Sequence, residues 1–515
     1  MGSKTILPAS LSVIAAIGIW GIADPDSVLA VSKAIVDRTF QNRGWLVMLT
    51  ATGLLFFCLW LTVSRFGEIR LGADEDRPEF STPSWLAMLF SAGMGVGLLF
   101  WAVAEPLTHF AFARSAIPDP LAAQMALLAT SFHWGLHAWA IYGATALVIA
   151  YFSFRRGTPM LVSAPIVYLF GRERWAHVVG WLSDFLAIAA IAIGVGGSVA
   201  MGVFQVAGGL EALFGAGISG GAGATVSEAA PTTSTLTATV WVAFAAIIVC
   251  YIPPLMVDLG TGMARLSNAA LLIAIALLAY TVLLGPTQFL INSIVGTFGS
   301  YLWNVVPRGF ETFTFFDDAV AAWFADWTLT YMVWWIAWGP FVGVFVARIS
   351  RGRTIREFVL GVLFVPALFS VFWFGAFGGI GLFDALESDG ALLGLTETDV
   401  ESVTFGLLER LPLSRLTILA TVAAAFLFIV TSVVSACFVL GTFSTGGDPN
   451  PAARVRLLWG AVLAVLSFTM ILSGSIDAVK SLIALGALPF VFIIILLVVC
   501  LLRALFEGDR SNADR

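Results

Sequence analysis

WLAMLFSAGMGVGLLFWAVAEPLTHFA, residues 85–111, is the stretch that decides the fold class of this chain. A helix needs about 20 apolar residues to cross a bilayer, and this run has enough. Within it, Gly93-Met94-Gly95-Val96-Gly97 places three glycines in five residues, each costing a helix about 1 kcal/mol against alanine. The run therefore predicts a membrane helix that unwinds midway. Unwound backbone at such a depth is tolerated where it is buried in protein or lines a cavity. The competing reading is close helix packing through small residues. For a second cluster, Gly194-Val195-Gly196-Gly197, packing and unwinding stand even.

Working outward, similar runs recur from end to end: roughly 5–24, 45–64, 85–111, 125–153, 178–212, 236–256, 266–287, 325–348, 357–378, 413–443, 455–474 and 478–504. The 515 residues are 59% hydrophobic and 11% charged, where soluble domains carry about 25% charged residues. This composition predicts an all-α integral membrane protein of twelve transmembrane helices. The first run has only Lys4 before it and lacks a cleavage pattern, so it reads as a retained span. Placing both termini inside puts 18 of the 26 basic residues in inside segments, which the positive-inside rule favours. The expected location is a bacterial-type inner (plasma) membrane, multi-pass. A net charge of −6 argues against a nucleic-acid partner. Cys58, Cys250, Cys437 and Cys500 lie in apolar runs and read as small core residues. Polar stretches fall at 65–83, 215–234 and 379–410, with an amphipathic surface helix expected over 396–411. Residues 288–310 read as a helix lying along the interface.

Catalysis is poorly provided for. The ionisable residues in or beside spans are Glu105, His133, His137 and Asp184, without metal-protease or paired-carboxylate spacing. Glu105 and Asp184 read at least as well as structural or capping groups. His133 and His137 share a helix face, and with no third ligand nearby, hydrogen bonding to a neighbouring helix is the better reading. The chain is expected not to be an enzyme and to hold no cofactor.

The aromatics carry more. His133-Trp134-Gly135-Leu136-His137-Ala138-Trp139-Ala140-Ile141-Tyr142 and Trp334-Trp335-Ile336-Ala337-Trp338 lie too deep in their runs to be headgroup anchors alone. At 100° per residue, Trp134, Trp139 and Tyr142 fall within about 140° of one face. Trp334, Trp335 and Trp338 fall within about 100° of another. Two opposed faces of this kind would cage an onium cation. In the tenth run, Phe428, Thr431 and Ser432 stand at i, i+3 and i+4, an oxygen-only face suited to Na⁺. Hydroxyls in membrane helices also bond back to the preceding turn, which is the plainer reading of that face alone.

These residues, in this order, resemble the betaine/choline/carnitine transporter family over nearly the whole chain. The specific stretches are Gly93 to Gly97 followed by Ala104-Glu105-Pro106-Leu107, His133 to Tyr142, and Trp334 to Gly343 continuing to Ala347-Arg348-Ile349-Ser350-Arg351-Gly352-Arg353-Thr354-Ile355-Arg356. The resemblance implies a LeuT-like secondary transporter with two inverted five-helix repeats, usually a homotrimer. Its segments would be residues 1–84 with two peripheral helices, a first repeat over 85–287, an interfacial helix and loop over 288–324, a second repeat over 325–504 and a short cytoplasmic tail over 505–515. By position, Trp134, Trp139, Tyr142 and Trp335 look like the central aromatic box. Trp334 and Trp338 match residues that meet ligand there or on its way to the cytoplasm. The glycine-rich backbone at Met94, Gly95 and Gly97 would meet a carboxylate. The carbonyls of Ser91, Met94 and Phe428 and the hydroxyls of Thr431 and Ser432 match a Na⁺ site, so Na⁺ is the expected coupling ion. Three departures stand out. Gly97 replaces an acidic residue of choline-handling members, which favours a zwitterion. Met332 replaces a tryptophan of betaine carriers. Ile191 and Val195 replace threonines of a second Na⁺ site. The expected function is Na⁺-driven import of a small onium zwitterion of the glycine betaine type, an osmoprotectant. The alternative is a carrier for choline, carnitine, trimethylamine N-oxide or dimethylsulfoniopropionate, driven by H⁺ or exchange.

Overall fold

The computed structural model describes residues 3–93, 95–215, 237–257, 261–388, 390–474 and 476–513. Met94 and most of the loop expected over 215–234 lie outside the described residues. Among those described, the chain is all-helical, with one isolated bridge between Arg70 and Thr354.

Among the described residues, thirteen helical segments are long and apolar enough to cross a membrane. The segment beyond the expected twelve is the predicted interfacial one. At a mean hydropathy of 1.2 it is the least apolar of the set, and it exposes Ile291, Val295, Leu302 and Trp303. Length and composition alone do not tell a crossing helix from one lying flat, because both need an apolar face.

The chain opens with α1 (Ser3–Ala23) and α2 (Pro25–Val63), the latter started by Pro25 and by Asp24, whose carboxylate accepts from the Ser27 N–H. The run over 85–111 divides into α3 (Thr82–Gly93) and α4 (Val96–Ala113), separated at the glycines as expected. A second interruption was not foreseen: α5 (Asp119–His133) and α6 (Leu136–Ala150) part at Trp134-Gly135. A side chain at Gly135 would strike the Tyr301 hydroxyl and the Ser131 carbonyl. That hydroxyl accepts from the Leu136 N–H at 2.6 Å, so it caps the restarted helix.

After α7 (Ser163–Phe170), α8 (Arg174–Phe214) runs unbroken for 41 residues. This resolves the even case at Gly194–Gly197 in favour of packing. A β-carbon at Gly194 would lie 3.2 Å from that of Ala337, and one at Gly197 would collide with Ile483. At 1.5 Å per residue α8 is about 60 Å long, roughly twice the hydrocarbon thickness.

Next come α9 (Ala238–Met256), α10 (Thr261–Leu284) and α11 (Thr287–Phe310), then α12 (Asp318–Trp323). A wide π-turn over Phe324–Leu329 joins α12 to α13 (Thr330–Ile349). A reciprocal Thr354–Glu357 capping box starts α14 (Ile355–Glu387). The surface helix expected over 396–411 is two short pieces, α15 (Ala391–Thr398) and α16 (Val403–Glu409). The last elements are α17 (Ser414–Ser444), α18 (Ala453–Leu472), α19 (Ile476–Ala487) and α20 (Phe490–Ala513). The final predicted span is thus also divided, between α19 and α20. Cys58, Cys437 and Cys500 are buried as expected, whereas Cys250 is exposed on α9.

At the centre, α13 packs along α6 while α8 packs along α17, α18 and α19. One end of this core is tied by the connection between α2 and α3. Leu71 N–H donates to the Arg353 carbonyl and Gly352 N–H to the Leu71 carbonyl, both at 2.8 Å. Arg155, just past α6, pairs with Asp74 at 2.7 Å, and Arg351 with Asp76 at 3.3 Å. Gly352 has φ +80° and presses on the Arg77 backbone, so no side chain fits there.

Candidate functional site: an aromatic cavity braced by a buried carboxylate

The two unforeseen and foreseen helix breaks face one another across a cavity of about 50 Å³. Gly95, Val96 and Gly97 line it from the α3/α4 break, and Trp134 and Tyr142 from the α5/α6 side. From α13 come Tyr331, Trp334, Trp335 and Trp338, and from α8 Ser198 and Met201. Trp335 meets Trp134 at 5.4 Å and 90°, and Tyr142 at 5.1 Å and 70°. Edge-to-face pairing of this kind turns ring faces into the space between them.

Of the residues expected at the cage, Trp134, Tyr142, Trp334, Trp335, Trp338, Gly95 and Gly97 line this cavity. Trp139 does not; it stands one layer back, fully buried and edge-on to Tyr142 at 5.6 Å. Met332 is fully buried and does not line this cavity. Its neighbour Tyr331 lines the cavity instead. Sequence reasoning missed Tyr331, Ser198 and Met201, and only the proximity of Tyr331 to the Trp334–Trp338 cluster hinted at it. A β-carbon at Gly97 would lie 3.1 Å from the Trp134 ring, so any side chain at 97 would press on the cage.

Behind the cage sits Glu105 of α4, fully buried. Its Oε1 accepts from His133 Nδ1 at 2.7 Å and from His109 Nε2 at 3.3 Å. Its Oε2 accepts from Trp134 Nε1 at 2.8 Å and from the Tyr331 hydroxyl at 2.6 Å. The tautomers follow from the donors around them. Trp323 Nε1 donates to His109 Nδ1 at 3.1 Å, which leaves Nε2 to carry the proton given to Glu105. Thr328 Oγ1 in the π-turn lies 2.9 Å from His133 Nε2, and Trp335 Nε1 donates to the His133 carbonyl at 2.8 Å. Four donors therefore converge on one carboxylate, which is how a buried charge is tolerated. Through it α4, α5 and α13 fix two cage indoles, Trp134 directly and Trp335 by way of His133.

Glu105, His109 and His133 bring their ligand atoms within 4.8 Å of one another, a spacing a metal would accept. The ring nitrogens facing Glu105 are both committed as donors to it, so the group is better described as a hydrogen-bonded charge centre. His133 bonds to neighbouring helices as expected. His137 differs: it packs on Phe132 at 4.6 Å, and neither ring nitrogen has a partner among the described residues. Asp184 accepts from the Ser163 N–H at 2.9 Å, a capping role at the start of α7.

At the expected Na⁺ position, Phe428 and Thr431 are buried on α17, which packs against α4. Thr431 donates its hydroxyl proton back to the carbonyls of Leu427 at 2.9 Å and Phe428 at 3.1 Å. Its oxygen lone pairs remain. Ser432 is half-buried beside it. Ser91 lies in the last turn of α3, and Met94 lies outside the described residues.

The profile of the betaine/carnitine/choline transporter family matches residues 5–510. A glycine betaine transporter of Bacillus subtilis, OpuD, is 37% identical over 97% of this chain and 94% of its own length. A glycine betaine transporter of Acinetobacter baylyi is 33% identical over 98% of this chain and 73% of its own. An ectoine/hydroxyectoine transporter of Virgibacillus pantothenticus is 31% identical over 99% and 98%. By this family match and these relatives, the chain belongs to the betaine/carnitine/choline transporter family and is a membrane transporter, not an enzyme.

Proposed function

We propose that this chain imports a small onium zwitterion of the glycine betaine type by Na⁺ symport with alternating access. The observation that carries the reading is the ring arrangement of Trp134, Tyr142, Tyr331 and Trp335 around one small cavity. A methylated onium group has no proton to donate, so ring faces are its natural partners, at about 0.5–2 kcal/mol per contact. A zwitterion also needs its carboxylate met. The N-terminus of α4 begins at Gly95 with no side chain capping it, which leaves N–H groups and a positive dipole end facing the cavity.

Na⁺ would sit between the α3/α4 break and the Phe428, Thr431 and Ser432 face, linking ion occupancy to the helix break that builds the substrate site. The same reading makes twelve helices cross the membrane with both termini cytoplasmic, and lays α11 flat along it. It treats residues 85–287 and 325–504 as inverted repeats moving around the cavity, and assembles the protein as a homotrimer. Uptake of labelled glycine betaine into proteoliposomes, with an inward Na⁺ gradient or with K⁺ in its place, is the test. Uptake that persists unchanged in K⁺ rejects Na⁺ coupling. A competition panel of choline, carnitine, ectoine, trimethylamine N-oxide and dimethylsulfoniopropionate assigns the substrate.

A further inference from the structure

A larger cavity, of about 260 Å³, lies toward the C-terminal end of α4. With the termini inside, that end faces the exterior. Its floor is made by Trp101 of α4 and Trp327 of the π-turn, which meet edge to face at 5.3 Å. Its walls carry four carboxyl groups, those of Asp326, Glu397, Glu401 and Asp477. Lys480 of α19 is the one basic residue among its described lining. The Lys480 ammonium lies 4.0 Å from the Trp327 ring centroid and 4.7 Å from that of Trp101. The Lys480 side chain is 9% exposed, whereas its ion-pair partner Asp477, at 3.5 Å, is 87% exposed.

The two indoles therefore form a cation clamp, and the protein fills it with its own ammonium. The clamp is joined to the central cavity: Trp327 stacks on Tyr331 at 6.1 Å and 15°, and Tyr331 lines the cage.

We propose that Lys480 is a specificity-determining residue of this vestibule, a tethered cation that turns away simple onium cations and admits onium zwitterions. It does so in two ways. It occupies the Trp101–Trp327 clamp, and it offsets the negative field of the ionised carboxylates in the walls, which would otherwise concentrate any cation. A zwitterion that displaces the ammonium from the rings brings a carboxylate to pair with it, so the released charge is compensated. Choline brings none. Without Lys480 the vestibule keeps four carboxyl groups and two bare indoles, which is a monocation site.

The proposal rests on the transport reading above, and its test separates the two. In proteoliposomes bearing the full chain, choline and glycine betaine are each titrated against labelled glycine betaine uptake. Lys480→Met should lower the choline-to-betaine ratio of half-inhibitory concentrations about tenfold. Lys480→Arg, which keeps the charge and stacks on indole, should hold the ratio within about twofold of the parent. An unchanged ratio in Lys480→Met, or an equal shift in Lys480→Arg, overturns the proposal. If the parent protein takes up no glycine betaine, the transport reading falls and a second measurement decides on Lys480 alone. Choline should then quench tryptophan fluorescence in Lys480→Met but not in the parent, and Trp327→Phe should abolish that quenching. Equal quenching in parent and variant refutes the role of Lys480.

Discussion

Glu105→Gln should raise the dissociation constant for glycine betaine about ten- to hundredfold in a protein that still folds. The magnitude follows from donors that cannot all be accommodated. Glu105 accepts four hydrogen bonds, two on each oxygen. Glutamine replaces one acceptor with an NH₂ group. If that group takes the Oε2 side, the Tyr331 hydroxyl can rotate and accept, but the Trp134 indole N–H is a donor only and loses its partner. If it takes the Oε1 side, His133 can change tautomer because the Thr328 hydroxyl can reverse. His109 cannot change, because its Nδ1 already accepts from Trp323, another obligate donor. Each arrangement leaves one buried donor facing a donor, at about 1–3 kcal/mol. The indole conflict falls on a cage ring, so binding suffers before folding. Isothermal titration of purified protein, with size-exclusion profiles as the folding control, reads the effect. Tyr331→Phe removes one donor without creating a conflict and should cost less. Unchanged affinity in Glu105→Gln, with a normal elution profile, would refute the bracing role.

Three further outcomes are expected. Gly97→Asp sets a carboxylate against the Trp134 ring, so competition by choline should strengthen while glycine betaine weakens, read by inhibition of uptake. Thr431→Ala combined with Ser432→Ala should raise the half-saturating Na⁺ concentration about tenfold or more while thermal stability moves by under about 1 kcal/mol, since the lost Thr431 bond is only to its own helix; uptake with unaltered Na⁺ dependence would dismiss the site. Burial, then Asp399 and Glu211, push the Glu401 carboxyl up from 4.5 to about 7. The folded protein therefore holds a proton there that the unfolded chain releases, so stability should fall as pH rises from about 4.5 to about 7. Glu401→Gln should flatten that decline in thermal-shift measurements, and an identical pH profile would count against it.

Much of this was legible in the sequence, and the losses have physical causes. The glycine run at 93–97 announced its break because three weak helix formers lie together. Gly194–Gly197 looked alike but packs, since whether a glycine bends a helix or admits a neighbour depends on Ala337 and Ile483, far away in the chain. Counting 100° per residue from Trp134 puts Trp139 on the cage face, whereas it stands behind Tyr142. That count assumes one continuous helix, and the interruption at Trp134-Gly135 resets the phase. The Glu105 centre was the deepest loss. Only the i,i+4 spacing to His109 is visible locally, while the bonds to His133, Trp134 and Tyr331 span 28, 29 and 226 residues.

The tie between the α2–α3 connection and the α13–α14 loop carries a consequence for biosynthesis. Arg70 bonds to the Gly352 carbonyl across 282 residues. At about 5–20 residues per second of translation, the first strand of the tie waits roughly 15–60 s for its partner. Through that interval α1 and α2 are already made while segment 69–76 has only Arg155, bonded to Gly72 and Asp74, to hold it. Chains arrested before residue 350 should be cleaved there by added protease, and chains arrested well beyond it should resist. The tie would then mark the moment at which the early and late halves of the nascent chain become one body.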